Sequence, residues 1–294
     1  MEKLGISKLK QEAKKARRFF YDRIDDCKFF HLDIFDPFVR NRRTRLLKIK
    51  NKFEGKRCFI MGNGPSLNKM DLNLLKDDYV WGSNRCSLLY DKICWRPSFY
   101  CAVDTRVVPD NADEINSLIA SQNTTLFFFP LKFRRQDIIN SGENVYWYNE
   151  YIIPNLALNK KISYSEVFTQ DASRWVASVT TVTIAALQMA VYLGFNPVYL
   201  IGCDTSYKIP STIQFEKNNL DLLISTKDDD ENHFDPQYFG KDCKWHDPHP
   251  ELMIKHYEYA KKYCDSHKIQ IFNATIGGNL ETFPRINYNT LFNK

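Results

Sequence analysis

From Arg57 onward the chain alternates short apolar runs with turn-rich or amphipathic stretches, and this alternation narrows the folds open to it more than any other feature. The runs are Cys58 to Met61, Tyr79 to Gly82, Phe99 to Val103, Thr125 to Phe129, Val145 to Tyr148, Val198 to Ile201 and Ile269 to Phe272. Four or five residues are too few for a helix, and a run that is apolar throughout suits a strand covered on both faces. Helical spacing separates some of them. Between Thr180 and Leu193, the residues Val182, Ala185, Ala186, Met189, Ala190 and Leu193 share one face and Gly194 follows as a stop; Pro250 to Ser266 repeats the pattern with Leu252, Ile254, Tyr257 and Ala260. Strands alternating with helices predict an α/β fold, a Rossmann-like, mostly parallel sheet with helices on both faces.

Charge divides the chain. Met1 to Arg57 carries 18 Lys and Arg against 8 Asp and Glu, whereas the rest carries 23 against 27. Residues 1–50 are therefore expected to form a basic helical N-terminal arm, with a charged helix over 2–27 and a break at Asp33 to Pro37, and residues 51–294 the catalytic domain. A lid is expected at about 208–249, with the polar run Ser225 to Asn232 as a mobile loop. The arm, with Phe19, Phe20, Phe29 and Phe30, suits contact with an anionic membrane surface or packing on the domain or a second subunit. No nucleic-acid reader motif accompanies the charge. The longest apolar stretch, Val179 to Phe195, contains Thr180, Thr181, Thr183 and Gln188 and reads as a core helix rather than a membrane span. No secretory signal is recognised, so a cytoplasmic location is expected. Eight cysteines without a CxxC pair read as free, mostly buried thiols, and the Cys243, His246, His249 spacing is a poor match to zinc.

Ligands of parallel sheets bind beyond the carboxyl ends of the strands. There the sequence places Gly62-Asn63-Gly64-Pro65-Ser66, Ser83-Asn84-Arg85, Asp104-Thr105-Arg106 and Gly202-Cys203-Asp204-Thr205-Ser206-Tyr207. Glycines in the first turn let backbone amides approach a phosphate or sugar; the structural alternative is a tight turn with Asn63 in a left-handed conformation. The turn lacks a third dinucleotide-type glycine, and no GxxxxGK[ST] loop is present. Asn84 offers an amide to a base or ribose. Asp104 and Asp204 stand singly and Asp228 to Asp230 fall in the expected loop, so neither a metal nor another cofactor is expected. Tyr207, with Thr205 and Ser206, is placed to support a leaving phosphate. A hydroxyl nucleophile needs a base near neutral pKa; His233 and His246, in the irregular stretch before the last helix, are the candidates, whereas His31, His256 and His267 read as surface or packing residues.

The run Lys56 to Leu67, together with Tyr199-Leu200-Ile201-Gly202-Cys203-Asp204, resembles the bacterial family described as similar to archaeal 6-hydroxymethylpterin pyrophosphokinase, whose members accompany surface-polysaccharide genes. That resemblance extends from about Lys48 to the C-terminus, through Asn232-His233-Phe234, Tyr238-Phe239-Gly240, Trp245-His246-Asp247-Pro248 and Asn273 to Arg285. More remotely, the core is similar to the CMP-sugar-dependent bacterial sialyltransferases. This second resemblance implies that Asn63 and Asn84 contact a cytidine nucleotide, that one of Ser178, Thr180, Thr181 and Thr183 touches it, that Tyr207 supports the leaving phosphate and that His233 takes the acceptor proton. The chain departs from that pattern in having no second tyrosine between Lys208 and Asn232 and in carrying Trp245-His246 before the final helix, so the base remains His233 or His246.

The resulting expectation is an inverting, metal-independent glycosyltransferase that moves a sialic-acid-like or other nonulosonate sugar from a CMP donor to a surface-glycan acceptor. Gly62, Asn63, Gly64, Ser66, Asn84, Asp104, Thr181, Thr183 and Asp204 would bind substrate. The arm would hold the enzyme near lipid-linked acceptors at the inner face of the membrane, or join subunits. Two alternatives stand beside it: an Mg-ATP-dependent pyrophosphokinase acting on a pterin-like alcohol, with Asp104 and Asp204 as metal ligands, and a non-catalytic nucleotide-binding subunit of a polysaccharide assembly complex.

Overall fold

The computed structural model describes residues 34–152, 167–169, 171–216 and 219–292. The charged helix expected over 2–27 and its phenylalanines lie outside them. Seven parallel strands form the central sheet: β1 (Cys58–Met61), β2 (Tyr79–Ser83), β3 (Phe99–Cys101), β4 (Leu126–Pro130), β5 (Val145–Tyr148), β8 (Val198–Ile201) and β12 (Ile271–Asn273), in the order β12-β8-β1-β2-β3-β4-β5. These are the seven apolar runs of the sequence. The chain winds outward from β1 to β5, then returns to lay β8 against the other side of β1, with Met61 level with Ile201. Successive strands thus leave β1 in opposite directions, which opens a crevice at the carboxyl ends of β1 and β8.

Strand residues alternate between two cores. Cys58, Ile60, Trp81, Phe99 and Phe128 face one side, where helices α6 (Val182–Tyr192) and α7 (Pro250–Ser266) pack; Phe59, Met61, Val80, Tyr100, Phe127 and Trp147 face the other, covered by helix α4 (Ala112–Ser121) and short 3-10 turns. Helix α6 is buried nearly all round rather than on one face. Its interior amide, Gln188, is fully buried because it pairs like a strand residue: Oε1 accepts from Thr169 and Ala177 amides at 3.0 and 2.9 Å, and Nε2 donates to the Ala177 carbonyl at 3.1 Å. Ala177 lies in β7 (Val176–Ser178), which pairs in parallel with β6 (Glu150–Ile152). No helix of the described residues is long and apolar enough to cross a membrane.

Residues 36–49, grouped by charge with the arm, pack on the sheet edge. Asp36 caps α1 (Pro37–Arg40) and accepts from Arg134 and Ser141 at 2.8 and 2.6 Å. Leu46 and Ile49 of α2 (Arg42–Ile49) enter the core, and Arg45 donates to the Val145 carbonyl at 2.6 Å and to that of Glu143. This covers the free edge of β5.

Within 208–249, the segment expected to be a lid, lies a three-stranded antiparallel sheet, in the order β11-β10-β9, built from β9 (Gln214–Glu216), β10 (Asn219–Ile224) and β11 (Lys244–His246). The sequence showed no strand there. The aspartates of 228–230, expected in a mobile loop or lid, are all used as acceptors: Asp228 accepts from the Lys241 amide (2.7 Å), Asp229 from the Thr212 hydroxyl (2.9 Å), and Asp230 from the Asn232 and Phe239 amides (2.9 and 3.1 Å). Acceptors used in this way fix the loop's shape.

Candidate active site

One cleft, about 300 Å³, opens at the carboxyl ends of the sheet strands, and Gly62, Asn63, Gly64, Asn84, Asp104, Thr181, Thr183, Asp204, Tyr207, His233 and His246 all line it. Ser66 does not. It lies beneath, 2% exposed, donating from its hydroxyl and amide to Asp204 at 2.7 and 3.2 Å. Burial pushes the Asp204 carboxyl above its usual range, against the Ser66 hydrogen bonds that favour its ionised form. Asp204 therefore ties the first turn to the end of β8.

The glycine turn is built differently from the amide cradle expected of it. Gly62 and Gly64 donate their amides to the carbonyls of Ile201 and Gly202, at 2.8 and 2.9 Å. A Cβ on Gly62 would collide with the Gly202 carbonyl, and one on Gly64 with the Asp204 carboxylate. Both residues are glycine because two backbone turns touch. Asn63 is not left-handed; among the non-glycine strand-end residues, Asn84 (φ 49°) and Thr205 (φ 50°) are. From the far side, the Asn273 to Arg285 segment braces the same strand end: the Thr275 hydroxyl accepts from the Cys203 amide at 3.1 Å, and the Asn279 amide donates to the Asp204 carbonyl at 2.7 Å.

Both asparagines line the cleft, and each keeps a buried side-chain oxygen without a partner among the described residues. Asn63 is 9% exposed and donates through Nδ2 to the Ser83 hydroxyl at 3.0 Å, which leaves its Oδ1 buried without a donor among the described residues; Asn84 Oδ1 is likewise unpartnered. Such oxygens are costly unless a water or a ligand supplies the donor.

Each candidate base has a carboxylate partner. His233 Nδ1 donates to Asp230 Oδ2 at 2.7 Å, with side chains 11% and 5% exposed, and its ring stacks on Tyr238 at 4.0 Å between centroids. Because the carboxylate fixes the proton on Nδ1, Nε2 is the basic nitrogen. Tyr207 is 6.4 Å away, ring to ring, and burial pushes its hydroxyl well above the ordinary tyrosine range, so it is a hydrogen-bond donor at neutral pH. His246, on strand β11, donates to Asp104 Oδ2 at 3.1 Å with side chains 41% and 32% exposed. Burial acts to raise the Asp104 carboxyl, but His246 and the Arg106 and Val107 amides outweigh it and hold it below its usual range.

Thr181 caps α6, accepting from the Thr183 amide at 3.3 Å, so this helix begins at the cleft wall. The preceding Thr180 donates its hydroxyl to His256 Nδ1 at 2.9 Å. His256 is fully buried, not a surface residue, and desolvation lowers its pKa to about 4. A histidine that stays neutral in the fold but titrates near 6.5 when unfolded leaves the unfolded state holding more protons between those values. Stability should therefore fall by about 3 kcal/mol as pH drops from 6.5 to 4. Urea unfolding of wild type and His256→Gln at pH 7 and 4.5 checks this: the variant should lose most of the pH dependence that His256 contributes.

Chemistry in the cleft also comes from residues the sequence reading did not assign. Lys132 and Glu150, just beyond β4 and β5, line it as an ion pair at 2.5 Å, as do Asn232, Tyr238, Phe239 and Trp245 of the lid. The strand-end rule that singled out Asn84 and Asp104 applies equally to Lys132 and Glu150. No group of three or more His, Cys, Asp or Glu among the described residues is arranged to hold a metal ion. The seven described cysteines are free thiols, five of them buried.

A parallel sheet reversed at β1, with a polar cleft over the reversal and histidine–carboxylate pairs on its walls, defines a Rossmann-like α/β protein with an enzyme-type site. The family model described as "6-hydroxymethylpterin diphosphokinase MptE-like" matches residues 34–210, and the chain belongs to that family. The match ends before the lid motifs. No curated protein matches the chain. Among solved structures, the MAf glycosyltransferase from Magnetospirillum magneticum AMB-1 is similar over 86% of this chain, at 13% identity and a TM-score of 0.44; this chain spans 39% of that one. Two structures of the Campylobacter jejuni sialyltransferase CstII, one with cytidine-5'-monophosphate and one with CMP and a trisaccharide acceptor, are similar over 80% of this chain at 16% identity and a TM-score of 0.41, with 86% and 87% of those chains covered.

Proposed function

We propose that the chain is an inverting glycosyltransferase that uses a CMP-linked sugar of the sialic-acid or nonulosonate type and delivers it to a surface-glycan hydroxyl. The observation that supports this reading is the gathering of Asn63, Asn84, Thr181, Thr183, Tyr207 and the His233–Asp230 pair around one cleft. A cytidine nucleotide offers the cytosine amino group and the ribose hydroxyls, which amide and hydroxyl side chains of this kind can pair with. The sequence resemblance to CMP-sugar-dependent sialyltransferases supports the same ligand.

In this reading His233 is the base. It is the more buried of the two histidines and has the shorter bond to its carboxylate, so its orientation is the better fixed. The acceptor oxygen attacks the anomeric carbon as its proton passes to His233 Nε2, and the bond from that carbon to the CMP phosphate oxygen breaks. The electron pair leaves with the phosphate, supported by the Tyr207 hydroxyl and by Thr181 and Thr183 at the start of α6. His246 joins the lid to Asp104 and closes the cleft rather than moving the proton.

The pyrophosphokinase reading suggested by the family's description needs a divalent ion on the ATP phosphates. The cleft carboxylates fit that ion poorly, because Asp204 is engaged by Ser66, Asp104 by His246 and two amides, Glu150 by Lys132, and Asp247 by the His249 amide. Thermal unfolding with CMP, UMP and ATP, each with magnesium or EDTA, separates the readings. CMP at about 100 times its Kd should stabilise by about 2.7 kcal/mol, a rise in Tm of roughly 5–10 °C, whether or not EDTA is present. Stabilisation by ATP that requires magnesium, with none by CMP, overturns the proposal.

A further inference from the structure

The groups assigned to the nucleotide sit at the ends of β8, β1 and β2, yet the cleft continues across the ends of β3, β4 and β5. Neighbouring strands lie about 4.8 Å apart, so the ends of β4 and β5 are roughly 10 and 14 Å beyond Asn84 along the sheet edge. Donor chemistry leaves that half of the cleft without a role.

What it contains is the Lys132–Glu150 pair. Lys132 Nζ donates to Glu150 Oε2 at 2.5 Å, the two side chains being 28% and 10% exposed, and Lys132 is the one Lys or Arg among the described residues lining the cleft. Lys132 begins helix α5 (Lys132–Arg135), which Asp36 holds through Arg134, and Glu150 begins β6, so each is carried on a braced element. The contact uses one of three ammonium protons and one carboxylate oxygen, which leaves donors and an acceptor available to a ligand. Opposite charges this close nearly cancel, and an ionic ligand would gain at one partner what it loses at the other. Vicinal hydroxyls both donate and accept, and so satisfy the two together.

We infer that the acceptor glycan lies across the ends of β4 and β5, with the Lys132–Glu150 pair reading a neutral sugar through adjacent hydroxyls. This rests on the glycosyltransferase reading, with the reactive hydroxyl at His233 and the rest of the acceptor extending toward β5. It makes Lys132 and Glu150 residues that determine acceptor specificity, separate from those that bind CMP.

The test pairs two probes on the full chain: CMP affinity by calorimetry, and capture by an array of neutral and acidic oligosaccharides in the presence of saturating CMP. Wild type should bind CMP and retain a subset of neutral glycans. Lys132→Ala and Glu150→Gln should keep CMP affinity within about twofold, which also shows that they are folded, and lose at least about tenfold in neutral-glycan capture, a change of 1.4 kcal/mol or more. The inference is overturned by unchanged capture, by CMP affinity falling in step with capture, by capture of acidic glycans alone, or by a wild type that binds CMP but no glycan. Absence of CMP binding by wild type instead defeats the underlying reading of the nucleotide site.

Discussion

His233→Asn should lower kcat for sugar transfer by about 100- to 10,000-fold while leaving CMP affinity within about twofold. Asparagine can still donate to Asp230 from near the position of Nδ1, so the 2.7 Å contact and the lid loop it anchors should persist, but nothing replaces Nε2 as a proton acceptor. Asp230→Asn should act in the same direction, because an amide donor facing Nδ1 would favour the tautomer with its proton on Nε2. It should also loosen the lid, since Asp230 accepts from the Asn232 and Phe239 amides. His246→Asn, at the more exposed pair, should change kcat by less than about tenfold and act mainly on substrate KM. The assay is CMP release from CMP–N-acetylneuraminate with a captured acceptor glycan. A collapse of kcat in His246→Asn with His233→Asn close to wild type would transfer the role of base to His246 and Asp104.

The second large effect concerns stability. Gly62→Ala should cost about 3 kcal/mol, the upper part of the usual range for overpacking, and lower Tm by roughly 6–12 °C. The added methyl would meet the carbonyl of Gly202, backbone against backbone, where no side chain can rotate away. Relief requires β1 and β8 to part at their carboxyl ends, which also displaces Asn63. CMP affinity should therefore fall along with Tm. Gly55→Ala is the control: its Cβ meets nothing within 4 Å, although its φ of 71° adds modest backbone strain. A Gly62→Ala protein that melts with wild type would show that the two turns do not pack as described.

Legibility in the sequence followed how local the cause was. The runs Cys58 to Met61, Val145 to Tyr148 and Val198 to Ile201 and the helix Pro250 to Ser266 have the bounds read from apolar pattern alone. The lid strands β9, β10 and β11 gave no such signal, being three to six residues long with Asn, Asp, Lys and His among them; pairing with one another holds them. For His256 the sequence left surface and packing open, because a histidine among Lys255, Glu258 and Lys261 suits either; its bond to Thr180 at the start of α6 decides for packing. Lys132 and Glu150 were passed over because neither belongs to a motif.

Sequence by itself determined the fold class, the seven strands of the sheet and the strand ends where polar residues gather, because apolar periodicity and glycine placement are set within a few residues of chain. Tertiary structure decided what each polar residue has left to offer. Asp204 and Ser66 are 138 positions apart and satisfy each other, Gly62 and Gly64 donate to β8, and Asn63 and Asn84 keep buried oxygens without partners among the described residues. Hydrogen-bonding capacity is consumed by partners that are close in space, and spatial proximity across a parallel sheet is not written in the spacing of residues along the chain.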